Sequence, residues 1–171
     1  MRKLKILQTI VDLFWFFCLI IFVAMVAFAF YSLLHKGPVD IPIKLNGTAI
    51  LIFDIGAKML IVFGLAAYCF FVYGIYQLRK LLSLFEKRVI FEERTIWLLN
   101  QIGKSFLATS VLTGIPLFIY NVFHGHTDIY IDLSGGFSSF LFTLGLGLFF
   151  MVLSEVFNIA KNMKEENELT V

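Results

Sequence analysis

The sequence predicts an all-α integral membrane protein with four transmembrane helices and a small extracytoplasmic β cap, made of a hairpin plus a third strand. Of the 171 residues, 60% are hydrophobic and only 15% are charged, whereas a soluble domain carries about 25% charged residues. Four apolar runs are long enough to cross about 30 Å of hydrocarbon. The two connections on one side of these runs alternate apolar and polar residues, as strands do.

The four spans lie approximately at residues 10–34, 57–78, 97–120 and 137–160. The first resembles a signal peptide, because basic residues precede it and Ala27-Phe28-Ala29 resembles a cleavage site. Its apolar run continues to Leu34, which is too long for the hydrophobic region of a signal peptide. We therefore expect an uncleaved first span and one membrane domain over residues 1–171.

The outer β segments are expected at 39–53 and 128–133. In the first segment, apolar residues alternate before Asn46-Gly47, which suits a two-residue type I′ turn, and a second β-rich run follows. Asn46-Gly47-Thr48 also matches a glycosylation sequon, but the turn accounts for it better. A lone hairpin is marginally stable in water, so a third strand beside it would complete a cap over the helices.

The basic residues predict the orientation, because Lys and Arg are retained on the cytoplasmic side of a membrane. Ten lie in the N-terminus, the middle loop 79–96 and the tail 161–171, against three near the first outer connection. Both termini and the middle loop are therefore expected in the cytoplasm, and this orientation would fit a bacterial cytoplasmic (inner) membrane. The loop residues are expected to lie against anionic lipid headgroups or to bind a cytosolic partner.

A polar cluster is predicted within the membrane, because charges inside spans usually face a bundle interior or a cavity. Asp12, Lys104 and Glu155 all occupy the cytoplasmic half of their spans, and Asn100 and Gln101 lie at comparable depth. Lys104 neutralised by one or both acids would lower the cost of each charge. The alternative is structural: Lys104 extends to the headgroups, and both acids are interfacial.

Two weaker candidates lie on the outer side. Asp54 and Lys58 are four residues apart and could form an ion pair on one helix face. His124 and His126 could bind a metal or titrate near neutral pH, although two histidines in a loop are a weak signal and solvated loop residues are the better explanation.

No enzyme motif or cofactor motif is present in the sequence, which has no phosphate-binding glycine loop, no HExxH and no nucleophile elbow. We expect no enzymatic activity, no cofactor and no resident metal. The net charge of +2 is too small to indicate direct binding of nucleic acid. Gly64, Gly145 and Gly147 are expected at close contacts between helices.

Two segments resemble a bacterial membrane family known as domain of unknown function 2975. One is Ser154-Glu155-Val156-Phe157 followed by Lys164 to Val171, and the other runs from Leu84-Phe85-Glu86 through Phe91 to Ile102-Gly103. The family usually has Gly before the loop phenylalanine and Ser or Thr after it, whereas this chain has Ile90 and Glu92. The resemblance implies four helices, no established activity and a genetic neighbour of the Xre/Cro helix-turn-helix type.

The tail is the expected binding site for such a regulator, through strand addition, or else a frayed end packed on the loop. It comprises Glu165, Glu166, Asn167, Glu168, Leu169, Thr170 and Val171.

The expected function is a non-enzymatic regulatory or sensory role, in which the outer face is coupled to a cytosolic partner. The alternative is a small transporter, channel or immunity-type protein that uses the inner polar cluster. Four short spans bury few residues between them, which favours a homodimer or a complex with a larger membrane protein.

Overall fold

Four long helices dominate the fold. The computed structural model describes residues 2–34, 38–45, 48–52, 55–87, 90–123 and 136–169. All four helices are long and apolar enough to cross a membrane. Their bounds are α1 Arg2–Leu34, α2 Ile55–Glu86, α3 Glu93–Phe123 and α4 Gly136–Leu169.

The helices extend beyond the predicted spans mainly at one end of the fold. This end is called the basic end here: α1 and α3 begin there, and α2 and α4 finish there. The 34 residues of α4 correspond to about 51 Å, against about 30 Å of hydrocarbon. The predicted middle loop 79–96 is largely helical, because α2 continues to Glu86 and α3 already begins at Glu93.

The prediction of a β cap is wrong. No cap covers the helix ends in the described ranges. Residues 38–52 hold only a short antiparallel ribbon, β1 (Pro38–Leu45) paired with β2 (Thr48–Ile52). This ribbon does not pack extensively on any helix, and the expected third strand at 128–133 lies outside the described residues. Alternation in a sequence indicates strand geometry but not what the strand packs against, so it could not predict a second layer.

Helices adjacent in sequence are adjacent in space: α1 packs on α2, α2 on α3, and α3 on α4. The core lies among α2, α3 and α4. Its centre is Phe106, whose ring lies 5.8 Å from that of Phe71 and 6.0 Å from that of Phe150. The same buried cluster contains Leu98, Leu99 and Ile102 of α3 and Ile75 and Leu81 of α2.

Interhelical hydrogen bonds supplement this packing. Tyr68 donates its hydroxyl hydrogen to the Cys18 carbonyl at 3.1 Å, joining α2 to α1. Thr109 donates to the Ala67 carbonyl at 3.3 Å, joining α3 to α2. Such bonds matter in a bilayer, because lipid tails are as apolar as the helix surfaces and give little hydrophobic drive for association.

Candidate functional site

Asp12 pairs with Arg79 of α2, not with Lys104. The Arg79 Nε donates to Asp12 Oδ1 at 2.5 Å, and the guanidinium carbon also lies 4.5 Å from the centroid of the Trp15 ring. Asp12 and Trp15 are three residues apart on α1, so both face the same turn of α2. One arginine is thus held by a carboxylate and an aromatic face together, the arrangement that a planar guanidinium favours.

The contacts between α1 and α2 keep one antiparallel register along both helices. At the basic end, Lys5 Nζ lies 3.6 Å from Glu86 Oε1. At the opposite end, Lys58 Nζ donates to the Leu33 carbonyl at 3.3 Å. That carbonyl is in the last turn of α1, where no intrahelical donor is available. Lys58 therefore helps to end α1, while its predicted partner Asp54 lies outside the described residues.

The backbones of α3 and α4 approach each other closely at Gly103 and Gly147. A Cβ added at Gly103 would lie 2.7 Å from the Gly147 carbonyl oxygen and 2.5 Å from Met151 Cγ. A Cβ added at Gly147 would lie 3.0 Å from the Gly103 carbonyl oxygen. The expectation for Gly147 is therefore confirmed. It was wrong for Gly64 and Gly145, around which a Cβ would meet nothing within 4 Å.

Two polar contacts continue this interface toward the basic end. Ser154 donates its hydroxyl hydrogen to the Ile96 carbonyl at 2.8 Å. Lys161 Nζ lies 3.0 Å from Glu93 Oε1 and 3.5 Å from Glu165 Oε1. The start of α3 and the far end of α4 are therefore joined.

The side of this interface that faces away from the core carries Lys104, Asn100 and Glu155. Phe106 and Phe150 lie on the side that faces the core. Lys104 and Glu155 are exposed, and Asn100 is half-buried. Gln101 is half-buried next to Asn100 in the sequence, and its carbonyl accepts the Ser105 hydroxyl at 2.7 Å.

Lys104 and Glu155 do not form an ion pair within the part of the chain that the structure describes. Gly103 is level with Gly147 and Met151, so Lys104 and Glu155 are separated by about two turns, roughly 10 Å along the axis. Asn100 lies between them. Its Oδ1 atom is buried without a hydrogen-bond partner. The structure thus puts three of the predicted cluster residues on one side of the α3–α4 interface, at different depths, and separates Asp12 from them.

The tail is helical as far as Leu169, because α4 runs unbroken through it. Glu165, Glu166 and Asn167 are exposed, Glu168 and Leu169 belong to the last turn, and Thr170 and Val171 lie outside the described residues. The expected strand addition therefore does not fit the conformation of residues 165–169, since a helix presents no free strand edge.

A small open groove of about 570 Å³ lies on the exposed face of α3 at the basic end. Its lining includes Arg94, Trp97 and Asn100. No group of three or more metal-ligating side chains occurs among the described residues. His124 and His126 lie outside them.

Sequence reasoning missed Arg79, which was interpreted only as one of the loop cations. A signal was present: Arg79 directly follows the second apolar run, at the depth where Asp12 and Trp15 begin the first one. Antiparallel neighbours would bring these residues together. The role of Ser154 could not be read from the sequence, because its partner is a backbone carbonyl.

These features define a multi-pass membrane protein with four spanning helices. Residues 36–171 match the family model DUF2975, described as proteins of unknown function, and the chain belongs to that family. No curated protein and no solved structure matches the chain.

The structure shows what several residues in the two family-like segments contact. Phe157 of the C-terminal signature lies 6.2 Å from the Phe85 ring and 5.9 Å from the Phe91 ring, by ring centroids. Phe91 thereby joins the short connection before α3 to α4. The carbonyl of Glu92, where the family usually has Ser or Thr, accepts the Thr95 N–H at 3.0 Å.

Proposed function

We propose that this protein is a non-enzymatic regulatory protein of a bacterial cytoplasmic membrane, which couples its outer face to a cytosolic partner at the basic end. The proposal rests chiefly on α4, which continues past the length of a bilayer as one helix to Leu169, with residues 162–167 exposed. The contact of Lys161 with Glu93 holds this projection on the start of α3. A projecting helix held in one direction is suited to protein recognition.

The orientation in the proposal follows from charge. Nine of the fourteen basic residues lie at the basic end within the ranges that the structure describes. By the positive-inside rule, this end faces the cytoplasm and both termini lie there.

Coupling between the two faces would run through α1 and α2. These helices flank the β1–β2 ribbon, and they stay in contact from Leu33–Lys58 to Lys5–Glu86. A displacement of the ribbon by an envelope ligand or condition would therefore act on both helices that reach the basic end.

The partner class follows from the acidic tail and from the family resemblance. Exposed Glu165 and Glu166 favour a partner with a basic surface. A small Xre/Cro-type helix-turn-helix regulator has such a surface where it binds DNA. Capture on the tail would compete with DNA binding and would keep the regulator at the membrane.

The alternative, a small transporter or channel that uses the polar cluster, has less support. Lys104 and Glu155 lie on the outer surface of the helix layer rather than beside the core around Phe106. A conduction path lined by both residues would need a second chain.

The test is recovery of the neighbouring helix-turn-helix regulator with the full-length protein, purified from native membranes in mild detergent. We expect recovery with the wild type and at least a ten-fold loss with the double reversal Glu165→Lys and Glu166→Lys. Glu92→Lys is the matched control, because it reverses an exposed carboxylate at the same end but outside the tail. Equal recovery with the tail variant, or no recovery with the wild type, would refute the proposal.

A further inference from the structure

Two cations lie over two neighbouring aromatic rings where α1 and α2 reach the basic end. The Arg79 guanidinium carbon lies 4.5 Å from the centroid of the Trp15 ring, and Lys80 Nζ lies 4.3 Å from the centroid of the Tyr76 ring. The two rings are neighbours, with centroids 6.2 Å apart. We call these four residues, which come from two helices, the interfacial cation site.

Helical spacing brings both cations to one face of α2. Tyr76 is three residues before Arg79 and four before Lys80, so both cations lie one turn beyond Tyr76 on the face that it occupies. Tyr76 and Lys80 are exposed, whereas Trp15 and Arg79 are half-buried. The site therefore opens outward from the pair of helices.

The site carries a positive charge that no carboxylate neutralises. Asp12 accepts from Arg79 Nε, which supplies only one of the five N–H donors of the guanidinium. Among the residues that the structure describes, Lys80 has no ion-pair partner and Arg79 has only Asp12. Two cations and one carboxylate leave one positive charge uncompensated.

The depth of the site matches the headgroup layer of a membrane. The second apolar run ends directly before Arg79, and the first begins two residues before Asp12. Tyr and Trp are enriched at the level of the headgroups, and lysines near helix ends reach toward the same level. Tyr73 and Cys69 are exposed and continue the face of α2 toward the membrane centre, at spacings of three and four residues from Tyr76.

An anionic phospholipid supplies the group that the site lacks. Its phosphate accepts hydrogen bonds from guanidinium and ammonium groups, and its acyl chain would cover the exposed face below Tyr76. A zwitterionic lipid brings its own ammonium group next to the phosphate, so it would leave the charge of the site uncompensated. Anionic lipids are constituents of the cytoplasmic leaflet.

We infer that the interfacial cation site binds one anionic phospholipid, whose phosphate lies between Lys80 and the terminal nitrogens of Arg79. Asp12 and Trp15 act as positioning residues, because they hold the guanidinium from the side of α1. The inference does not depend on the proposed regulatory role.

Quenching of tryptophan fluorescence by brominated lipid measures which lipid lies at the site. The chain has two tryptophans, so Trp97→Phe leaves Trp15 as the reporter, and Trp15→Phe leaves Trp97 of α3 as the control at the same end of the fold. Each full-length protein is reconstituted in phosphatidylcholine vesicles with brominated phosphatidylglycerol or brominated phosphatidylcholine. We expect about five-fold stronger quenching by the anionic lipid at Trp15, the size expected for one unpaired cation at an anionic surface, and a clearly smaller preference at Trp97.

Charge variants in the Trp97→Phe protein assign this preference to the site. Lys80→Gln should lower it by about five-fold. Lys87→Gln is the matched control and should leave it unchanged, because Lys87 is exposed at the same end but belongs to neither ring contact. Asp12→Asn should raise it by about five-fold, because asparagine still accepts from Arg79 but no longer neutralises it.

The rise with Asp12→Asn separates lipid binding from a purely structural role, because misfolding would lower the preference. Equal preferences at the two tryptophans would overturn the inference, since they would indicate only a general attraction of anionic lipid to the basic end. Equal effects of Lys80→Gln and Lys87→Gln, or a fall with Asp12→Asn, would also overturn it.

Discussion

Replacing Gly103 by alanine adds one methyl group at the tightest point between α3 and α4. The new Cβ would lie 2.7 Å from the Gly147 carbonyl oxygen, about 0.7 Å inside the 3.4 Å at which ordinary contact begins. Met151 Cγ can move aside, but a backbone oxygen moves only with its helix. Overpacking of this kind costs about 1 to 3 kcal/mol. Alanine recovers nearly 1 kcal/mol of helix propensity, so the net loss should be about 0 to 2 kcal/mol.

The assay is unfolding of the purified protein in mild detergent, titrated with SDS and followed by helical circular dichroism. Gly145→Ala is the matched control, because it makes the same change in α4, two residues from Gly147, where nothing lies within 4 Å. We expect that control to be neutral or stabilising by up to about 1 kcal/mol. If Gly103→Ala and Gly145→Ala changed the unfolding midpoint equally, the close approach of α3 and α4 would be wrong.

Three further variants test the other contacts. Arg79→Ala should lower the free energy of unfolding by about 1 to 2 kcal/mol, because it removes an ion pair and a cation–π contact, and Trp15 fluorescence should change with it. Ser154→Ala removes the bond to the Ile96 carbonyl and should cost about 0.5 to 1 kcal/mol in the same titration, whereas Ser154→Thr should retain most of the stability. Phe157→Ala should cost about 2 kcal/mol, less than a fully buried phenylalanine, because the residue is only half-buried, and Phe157→Leu should recover part of that loss.

Hydropathy predicted four helices because the thickness of a bilayer sets a minimum apolar length. It could not predict where the helices end, because α2 and α4 continue through polar residues as far as Glu86 and Leu169. Those extensions are held by contacts between elements, such as Lys161 with Glu93. The prediction of a β cap was wrong for a related reason, because the residue pattern of a strand does not say which elements the strand packs against.

The sequence predicts how deep the candidate site residues lie in the membrane, but not which neighbouring helix each side chain faces. The sequence placed Asp12 and Lys104 in the same half of the membrane, yet α1 packs on α2, so Asp12 meets Arg79. Which helices are adjacent decides which side chains pair, and no single residue in the sequence specifies that adjacency. Gly103 is another example, because it lies at a close helix contact only where Gly147 faces it on α4.

The orientation of the chain underlies the regulatory proposal, and an impermeant maleimide tests it directly. In a background free of native cysteines, Ile90→Cys probes the basic end and Leu34→Cys, at an 83% exposed residue, probes the opposite end. In intact cells, spheroplasted if an outer membrane is present, Leu34→Cys should be labelled, and Ile90→Cys only after permeabilisation. Labelling of Ile90→Cys in sealed cells would contradict a cytoplasmic basic end.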